Sequence, residues 1–98
     1  MSLELHPEAA AEFAAQVEYY EDQQPGLGEK FYREVIGCLN WIATNPTLPR
    51  LRRDHRRVNL RVFPFYIAYV EEGDSVWVLA VANGYRRPGY WRKRLSGG

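Results

Sequence analysis

The sequence predicts an α+β domain in the order β-α-α-β-β-β, in which a helical hairpin packs on one face of a small, mostly antiparallel sheet. Apolar residues recur every three to four positions in the first half of the chain and every two positions in the second half. A chain of 98 residues has room for one hydrophobic core. We therefore expect a single domain over residues 1–95, followed by a disordered tail at 96–98.

A short strand and a helix are predicted at the start of the chain, the strand at Leu3–Leu5. Pro7 suits the first turn of the helix, because its missing N–H has no partner to lose there. The residues that form the apolar stripe of this helix are Ala10, Phe13, Val17 and Tyr20. The face opposite the stripe is polar and mostly acidic, and consists of Glu8, Glu12, Gln16 and Glu18. Pro25-Gly26 is typical of a break after a helix.

A second helix is predicted from Leu27 to Asn45. Asn45 precedes Pro46, and a residue before proline avoids the α conformation, so the helix ends there. Its apolar residues repeat every three to four positions and are Leu27, Phe31, Val35, Leu39 and Ile42. The short connection predicts that the two helices are antiparallel.

Three strands are predicted in the second half of the chain. Alternating residues from Val58 to Val62 indicate the first, which would carry Arg61. The dense aromatic and β-branched run from Phe63 to Val70 predicts the second, and Ser75–Ala82 predicts the third. The four residues between these two strands, Glu71–Asp74, are typical of a hairpin turn.

The charge is divided between the two halves, although the formal net charge is only +1. Residues 1–45 carry eight acids and two bases, whereas residues 46–98 carry four acids and eleven bases. Eleven of the thirteen bases are arginines, which bind phosphate in bidentate geometry and stack on aromatic rings. Because the bases lie on the strands and their loops, we expect the uncovered side of the sheet, or its edge, to face a polyanionic partner.

Composition excludes several classes of protein. Cys38 is the single cysteine, so an intramolecular disulfide is excluded and a cysteine-based metal site is not expected. We expect no metal, no cofactor and a reducing, cytoplasmic location. No apolar stretch approaches the ~18 residues that a membrane helix needs, and the N-terminus lacks the pattern of a signal peptide. A membrane partner is therefore not expected.

A series of short motifs resembles the RelE/ParE superfamily of type II toxin–antitoxin toxins, also called plasmid stabilisation proteins, from Leu3 to about Arg94. Each motif is weak alone, and their order and spacing carry the resemblance. The motifs are Tyr19-Tyr20, Pro25-Gly26-Leu27-Gly28, Ile42-Ala43-Thr44-Asn45-Pro46, Arg56-Arg57, Phe63-Pro64-Phe65, Ile67-Ala68-Tyr69, Leu79-Ala80-Val81-Ala82 and Arg86-Arg87-Pro88-Gly89-Tyr90-Trp91.

The resemblance implies a growth-inhibiting toxin that a cognate antitoxin protein holds inactive in a toxin–antitoxin hetero-oligomer. It leaves the mechanism open. RelE-like members enter the ribosomal A site and cleave mRNA without a metal, whereas ParE-like members bind and poison DNA gyrase and do no chemistry. A member that only binds its antitoxin is a third alternative. The high arginine content favours the RelE-like endoribonuclease, or mRNA interferase.

The candidate catalytic residues are Arg61, Arg86, Arg87 and Tyr90. Metal-free RNA cleavage needs a proton acceptor, a proton donor and cations that stabilise the charge developing on the phosphate. Arginine stays protonated and supplies positive charge. The acid–base candidates are His55, Tyr85 and Tyr90, and an arginine cluster would lower the pKa of a tyrosine. By resemblance, Arg86 or Arg87 and Tyr90 match RelE-like catalytic positions, and Arg61 is the nearest substitute for an arginine of the middle strand.

Three departures from the RelE-like pattern favour the non-enzymatic alternative. The middle strand is irregular, with Phe63-Pro64-Phe65 where an arginine is expected. Many family members have a histidine where this chain has Asn83-Gly84-Tyr85. The only lysines are Lys30 and Lys93, so the lysines that RelE-like enzymes use on a neighbouring strand are missing or replaced by arginine.

A further group of residues is predicted to bind nucleic acid or a protein partner. Some of them lie in a basic loop at residues 50–57. This loop is alternatively a solvated surface or the docking surface of an acidic antitoxin. The aromatic members either stack on bases or pack the C-terminal segment on the sheet. His55 is predicted to lie on the surface. The predicted binding residues are Arg52, Arg53, Arg56, Arg57, Tyr85, Trp91 and Arg92.

Overall fold

A computed structural model describes residues 2–96. Its elements follow the predicted order, with a 3-10 helix, η1, added at the end. Of the predicted disordered tail, Ser96 is the last residue of η1, and residues 97 and 98 lie outside the described residues. The elements are β1 (Ser2–Leu5), α1 (Pro7–Gln23), α2 (Leu27–Thr44), β2 (Arg56–Asn59), β3 (Phe65–Glu72), β4 (Ser75–Asn83) and η1 (Arg92–Ser96).

The four strands form one mixed sheet in the order β1-β4-β3-β2. β1 runs parallel to β4, and its last residue, Leu5, lies opposite Val78. The other two pairings are antiparallel, with Val58 opposite Ile67 and β3 joined to β4 by a tight turn at Gly73. Gly73 has a φ of +61°, a conformation that glycine adopts without steric cost. The predicted α+β architecture is confirmed.

The two helices begin and end where local signals predict. The backbone N–H of Glu8 donates to Nδ1 of His6 at 3.0 Å and so caps the start of α1. The apolar stripe of α1 begins at Ala9, which is buried, and the prediction of Ala10 is wrong because Ala10 is exposed. None of the helices within residues 2–96 is long and apolar enough to cross a membrane.

The main core lies between the helical hairpin and one face of the sheet. α2 contributes the central aromatic side chain, Phe31, whose ring lies 4.9 Å from that of Phe65 on β3. Burying side chains of this size contributes roughly 1.5–3 kcal/mol each to stability. The fully buried residues of this core include Phe31, Val35, Ile42, Ile67, Tyr69, Val76 and Val78.

β2 is shorter and begins earlier than the sequence predicts. It ends at Asn59, and residues 60–64 form a loop. The Glu34 carboxylate on α2 accepts the backbone N–H groups of Arg61 and Val62, which removes them from the sheet. Pro64 has no N–H to donate to a neighbouring strand. Arg61 is therefore a loop residue, and the prediction that it lies on a strand is wrong.

The second face of the sheet is partly covered by residues 84–96, which we call the C-terminal segment. Trp91 is 1% exposed and its indole Nε1 donates to the Tyr66 hydroxyl at 3.0 Å. Ala68, Leu79 and Ala82 join them in a second, smaller core. This packing agrees with the alternative in which the aromatic residues hold the C-terminal segment on the sheet.

Gly28 marks the closest approach of the two helices, because a Cβ placed there would lie 2.5 Å from the Val17 carbonyl oxygen. We expect Gly28→Ala to lower the free energy of unfolding by roughly 1–3 kcal/mol through this clash. Gly37→Ala is the matched control on the same helix, since its added Cβ would meet nothing within 4 Å. The control should stabilise the protein by about 0.5–1 kcal/mol through helix propensity. Urea unfolding measures both, and equal effects would contradict the close approach.

Candidate functional site

The first feature of the site is an edge of β4 that no strand covers. β1 ends opposite Val78, and two side chains take the place of a strand beyond it. The Val81 N–H donates to the Glu12 carboxylate at 3.3 Å, and Nη1 of Arg94 donates to the Leu79 carbonyl at 2.9 Å. These two polar groups of the strand edge thereby have hydrogen-bond partners, as buried backbone requires.

Glu12 and Arg94 also pair with each other. Two guanidinium nitrogens of Arg94 each donate to a different carboxylate oxygen of Glu12 at 3.0 Å. The Arg94 side chain is 5% exposed and that of Glu12 is 17% exposed. Burial alone would lower the pKa of Arg94, but its hydrogen bonds to Glu12 and the negative charge of Glu12 outweigh burial and raise it. The pair anchors the C-terminal segment to α1 and β4.

Tyr90 belongs to the same cluster and is held as a hydrogen-bond donor. Its hydroxyl donates to Glu12 at 2.6 Å, and the Arg86 guanidinium lies over its ring at 3.7 Å from the centroid. Burial and the bond to Glu12 raise the pKa of Tyr90 despite the opposing positive charge of Arg86 and Arg94. This is opposite to the lowered pKa expected of a catalytic base, because the nearby arginines are outweighed by burial and a carboxylate.

Beside this cluster lies a cleft of about 370 Å³ between β2, the start of β3 and the loop after β4. We call it the arginine cleft. Its polar walls include Arg57, Asn59 and Arg86, and its apolar walls include Leu60 and Phe65. The Arg57 guanidinium lies 4.5 Å from the centroid of the Tyr66 ring, also part of the lining. The cleft lies where the second face of the sheet, which carries Tyr66, meets the main core, which contains Leu60 and Phe65.

The four predicted catalytic residues do not meet at one point. Arg86 lines the arginine cleft, whereas Arg87 is exposed outside its lining. Tyr90 points its hydroxyl at Glu12 on α1. Arg61 lies beside α2 and β2, in a different groove of about 500 Å³. The two grooves share Asn59 and Leu60 as walls, and Arg61 lines only the second of them.

Two of the predicted binding residues serve the fold instead. Arg56 donates to Glu71 at 2.8 Å and to the Pro49 carbonyl at 2.6 Å, which fastens the loop before β2 to the sheet. Trp91 is buried, so the prediction that its ring meets a base or a partner is corrected in favour of packing on the sheet.

His55 and Arg92 join the basic loop to the C-terminal segment. His55 is 4% exposed, and its ring centroid lies 4.6 Å from that of Trp91. The prediction of a surface histidine is wrong, because Trp91 folds over it. The Asp54 carboxylate contacts His55 at 2.7 Å and Arg92 at 3.1 Å. These contacts, led by the hydrogen bond from His55, lower the pKa of Asp54.

Apart from Arg56, five predicted binding residues remain at least partly accessible: Arg52, Arg53, Arg57, Tyr85 and Arg92. Arg53 is exposed and Arg52 is partly exposed. The pKa of Arg52 is lowered, mainly by the positive charge of Arg57 and to a smaller extent by burial and by the charge of Arg50. Tyr85 is 87% exposed and lines the arginine cleft together with Arg57. Of the predicted set, Arg57, Tyr85 and Arg86 are therefore brought together in the cleft.

Glu12 is the residue of the site that the sequence did not indicate. The sequence places it on the polar face of α1, opposite the apolar stripe. The one sequence signal for its role is its position five residues after Pro7. This position near the start of α1 places its carboxylate beside the edge of β4 that opens where β1 ends. Among residues 2–96, no cluster of His, Cys, Asp and Glu side chains could hold a metal ion.

Alkaline pH should destabilise the protein through Tyr69 and Tyr90. Burial raises the pKa of both phenols above their ordinary value of 10.0, that of Tyr69 to about 12. A raised pKa in the folded state contributes stability that is complete below the unfolded pKa and is lost as the pH rises through the folded pKa. The free energy of urea unfolding should therefore fall above pH ~10. Tyr90→Phe should fall less steeply, and an unchanged slope would contradict the role of Tyr90.

Comparisons with known proteins agree with this architecture. The model of the family described as ParE toxin of type II toxin–antitoxin system, parDE, matches residues 3–88. Toxin ParE2 of Mycobacterium tuberculosis, in strains CDC 1551 / Oshkosh and ATCC 25618 / H37Rv, is 28% identical over 82 residues, which cover 81% of this chain and 77% of the relative.

A solved structure of the chromosomal ParDE TA system from P. aeruginosa has the same fold. It matches with a TM-score of 0.73 and 20% identity, over 85% of this chain and 95% of that chain. The family model spans nearly all of the strands and both helices described above. The chain therefore belongs to the ParE toxin family of type II toxin–antitoxin systems.

Proposed function

We propose that this toxin inhibits growth by binding DNA gyrase and that it does not cleave RNA. The state of Tyr90 carries the proposal. Of the four candidate catalytic residues, Tyr90 was the one able to exchange a proton, because arginine stays protonated. Its hydroxyl donates to Glu12 and its pKa is raised, so it is a poor proton acceptor near neutral pH.

The separation of the arginines supports the same conclusion. A phosphate undergoing cleavage would need cations converging on its oxygens. Arg86 and Arg61 line different grooves, and Arg86 is already engaged by the Tyr90 ring and by Glu12 at 3.7 Å. Binding to a protein target needs no such convergence, since its contacts spread over a surface.

A cognate antitoxin is the second partner in this proposal. The matched family is that of type II toxin–antitoxin systems, and the structurally similar protein comes from a ParDE system. The toxin would be stored in a hetero-oligomer with its antitoxin in the cytoplasm. The partly buried, unpaired Cys38 suits a reducing compartment.

Tyr90→Phe separates the two mechanisms, because it removes the hydroxyl and keeps the ring on which Arg86 stacks. We expect the variant to arrest growth as strongly as the unchanged toxin and to accumulate gyrase–DNA cleavage complexes to the same extent. Loss of a general acid or base would instead reduce an RNA-cleaving activity by about 10²–10⁴-fold. Growth curves, plasmid topology and mRNA end mapping after induction measure these effects in parallel.

Arg61→Ala is the companion variant, since Arg61 lies away from the cleft. Thermal unfolding of both variants checks that each remains folded at the temperature of growth. The proposal would be wrong if mRNA were cut at ribosomal A sites and if this cutting vanished with Tyr90→Phe or Arg61→Ala.

A further inference from the structure

Among the described arginines of the sheet and the C-terminal segment, Arg57 and Arg87 have no acidic partner, and of these two only Arg57 is partly buried. Arg56, Arg92 and Arg94 each lie within 4 Å of a carboxylate, and Arg86 lies 3.7 Å from Glu12. Within residues 2–96, no carboxylate pairs with Arg57, and its Nε is buried without a hydrogen-bond partner. A partly buried guanidinium with an unsatisfied donor favours binding of an anion.

The arginine cleft around Arg57 has a single sign of charge. Its lining contains Arg57 and Arg86 and no acidic residue. Arg52 lies close enough to Arg57 for the positive charge of Arg57 to lower the pKa of Arg52, and Arg50 contributes in the same direction. A cleft with cations of one sign between low-dielectric walls attracts an anionic group and strengthens its binding.

The apolar walls of the cleft indicate which anion fits. Five apolar residues line it: Pro64 and Pro88 are exposed, whereas Leu60, Phe63 and Phe65 are buried and form its floor. Tyr85 stands at its rim with 87% of its surface exposed. Tyrosine and arginine around an apolar centre are the composition of protein–protein hot spots. An acidic side chain flanked by apolar ones would meet both kinds of wall, whereas a phosphodiester would leave the apolar wall unused.

We propose that the arginine cleft is the docking site for an acidic side chain of the toxin's protein target, which pairs with Arg57 and seats its apolar neighbour against Pro64 and Pro88. This inference rests on the proposed function, because it takes the target to be a protein. Beyond the proposed function, it names the face of the toxin that contacts the target and the chemistry of the target segment that the toxin recognises.

A direct binding experiment tests the chemistry of the cleft without gyrase. The ¹⁵N-labelled full chain is titrated with the blocked peptide acetyl-Leu-Glu-Leu-amide, with the same peptide carrying Gln in place of Glu, and with a short oligouridylate. The acidic peptide should shift the amide signals of Tyr66 and Gly84. The Gln peptide should bind at least about tenfold more weakly, as expected for loss of a charged hydrogen bond.

Substitutions then locate the contact. Arg57→Gln should weaken binding of the acidic peptide about tenfold. Arg33→Gln is the matched control, because it removes the same charge from an exposed residue of α2 that pairs with Glu29. Asn59→Asp is a second test that leaves Arg57 in place, since it puts a carboxylate at an exposed position of the cleft. It should compete for Arg57 and weaken peptide binding to a similar extent.

Gyrase supercoiling assays with the same variants connect the cleft to the target. Arg57→Gln and Asn59→Asp should each require about tenfold more toxin for inhibition, whereas Arg33→Gln should not.

Equal inhibition by all variants would overturn the inference and leave the proposed function intact. Peptide binding in the cleft without any effect of the unchanged toxin on gyrase would overturn the proposed function and support an acid-binding cleft. Oligouridylate binding in the cleft more tightly than the peptide would assign it to RNA and overturn the inference.

Discussion

The open edge of β4 is the constraint on which the rest of the structure depends. β1 ends opposite Val78, so the following residues of β4 have a strand, β3, on one side only. An unpaired buried backbone group costs about 1–3 kcal/mol, and an open strand edge invites pairing with other chains. Glu12 and Arg94 satisfy this edge and neutralise each other. Neither charge would be stable there alone, because an unpaired buried charge is strongly destabilising.

The position of the C-terminal segment follows from this pair. With Arg94 fixed against Glu12, Trp91 lies over the second face of the sheet and bonds to Tyr66, and Tyr90 bonds to Glu12. Arg86 stacks on the Tyr90 ring and reaches the rim of the arginine cleft. The segment therefore both completes the fold and bounds the surface left for a partner.

The division of charge along the chain also acquires a structural meaning. The acidic half and the basic half meet inside the molecule at Glu12, where an acid of α1 holds arginines of the C-terminal segment. The polyanionic partner predicted from the net charge of the second half is thus only part of the explanation. Several arginines are engaged by the protein's own carboxylates, and Arg57 is the one in the cleft that is not.

The sequence by itself determined the helical hairpin, the β3–β4 hairpin and the family resemblance, because their signals are local. Apolar spacing, Pro7, Pro25-Gly26 and Asn45-Pro46 act within a few residues. Only the tertiary structure decided the end of β2, the burial of His55 and the role of Glu12. Each of these depends on a residue distant in the chain: Glu34 takes the N–H groups after β2, Trp91 covers His55, and Arg94 pairs with Glu12. Periodicity shows which face of an element is apolar, but it cannot show which distant polar group will satisfy an exposed edge.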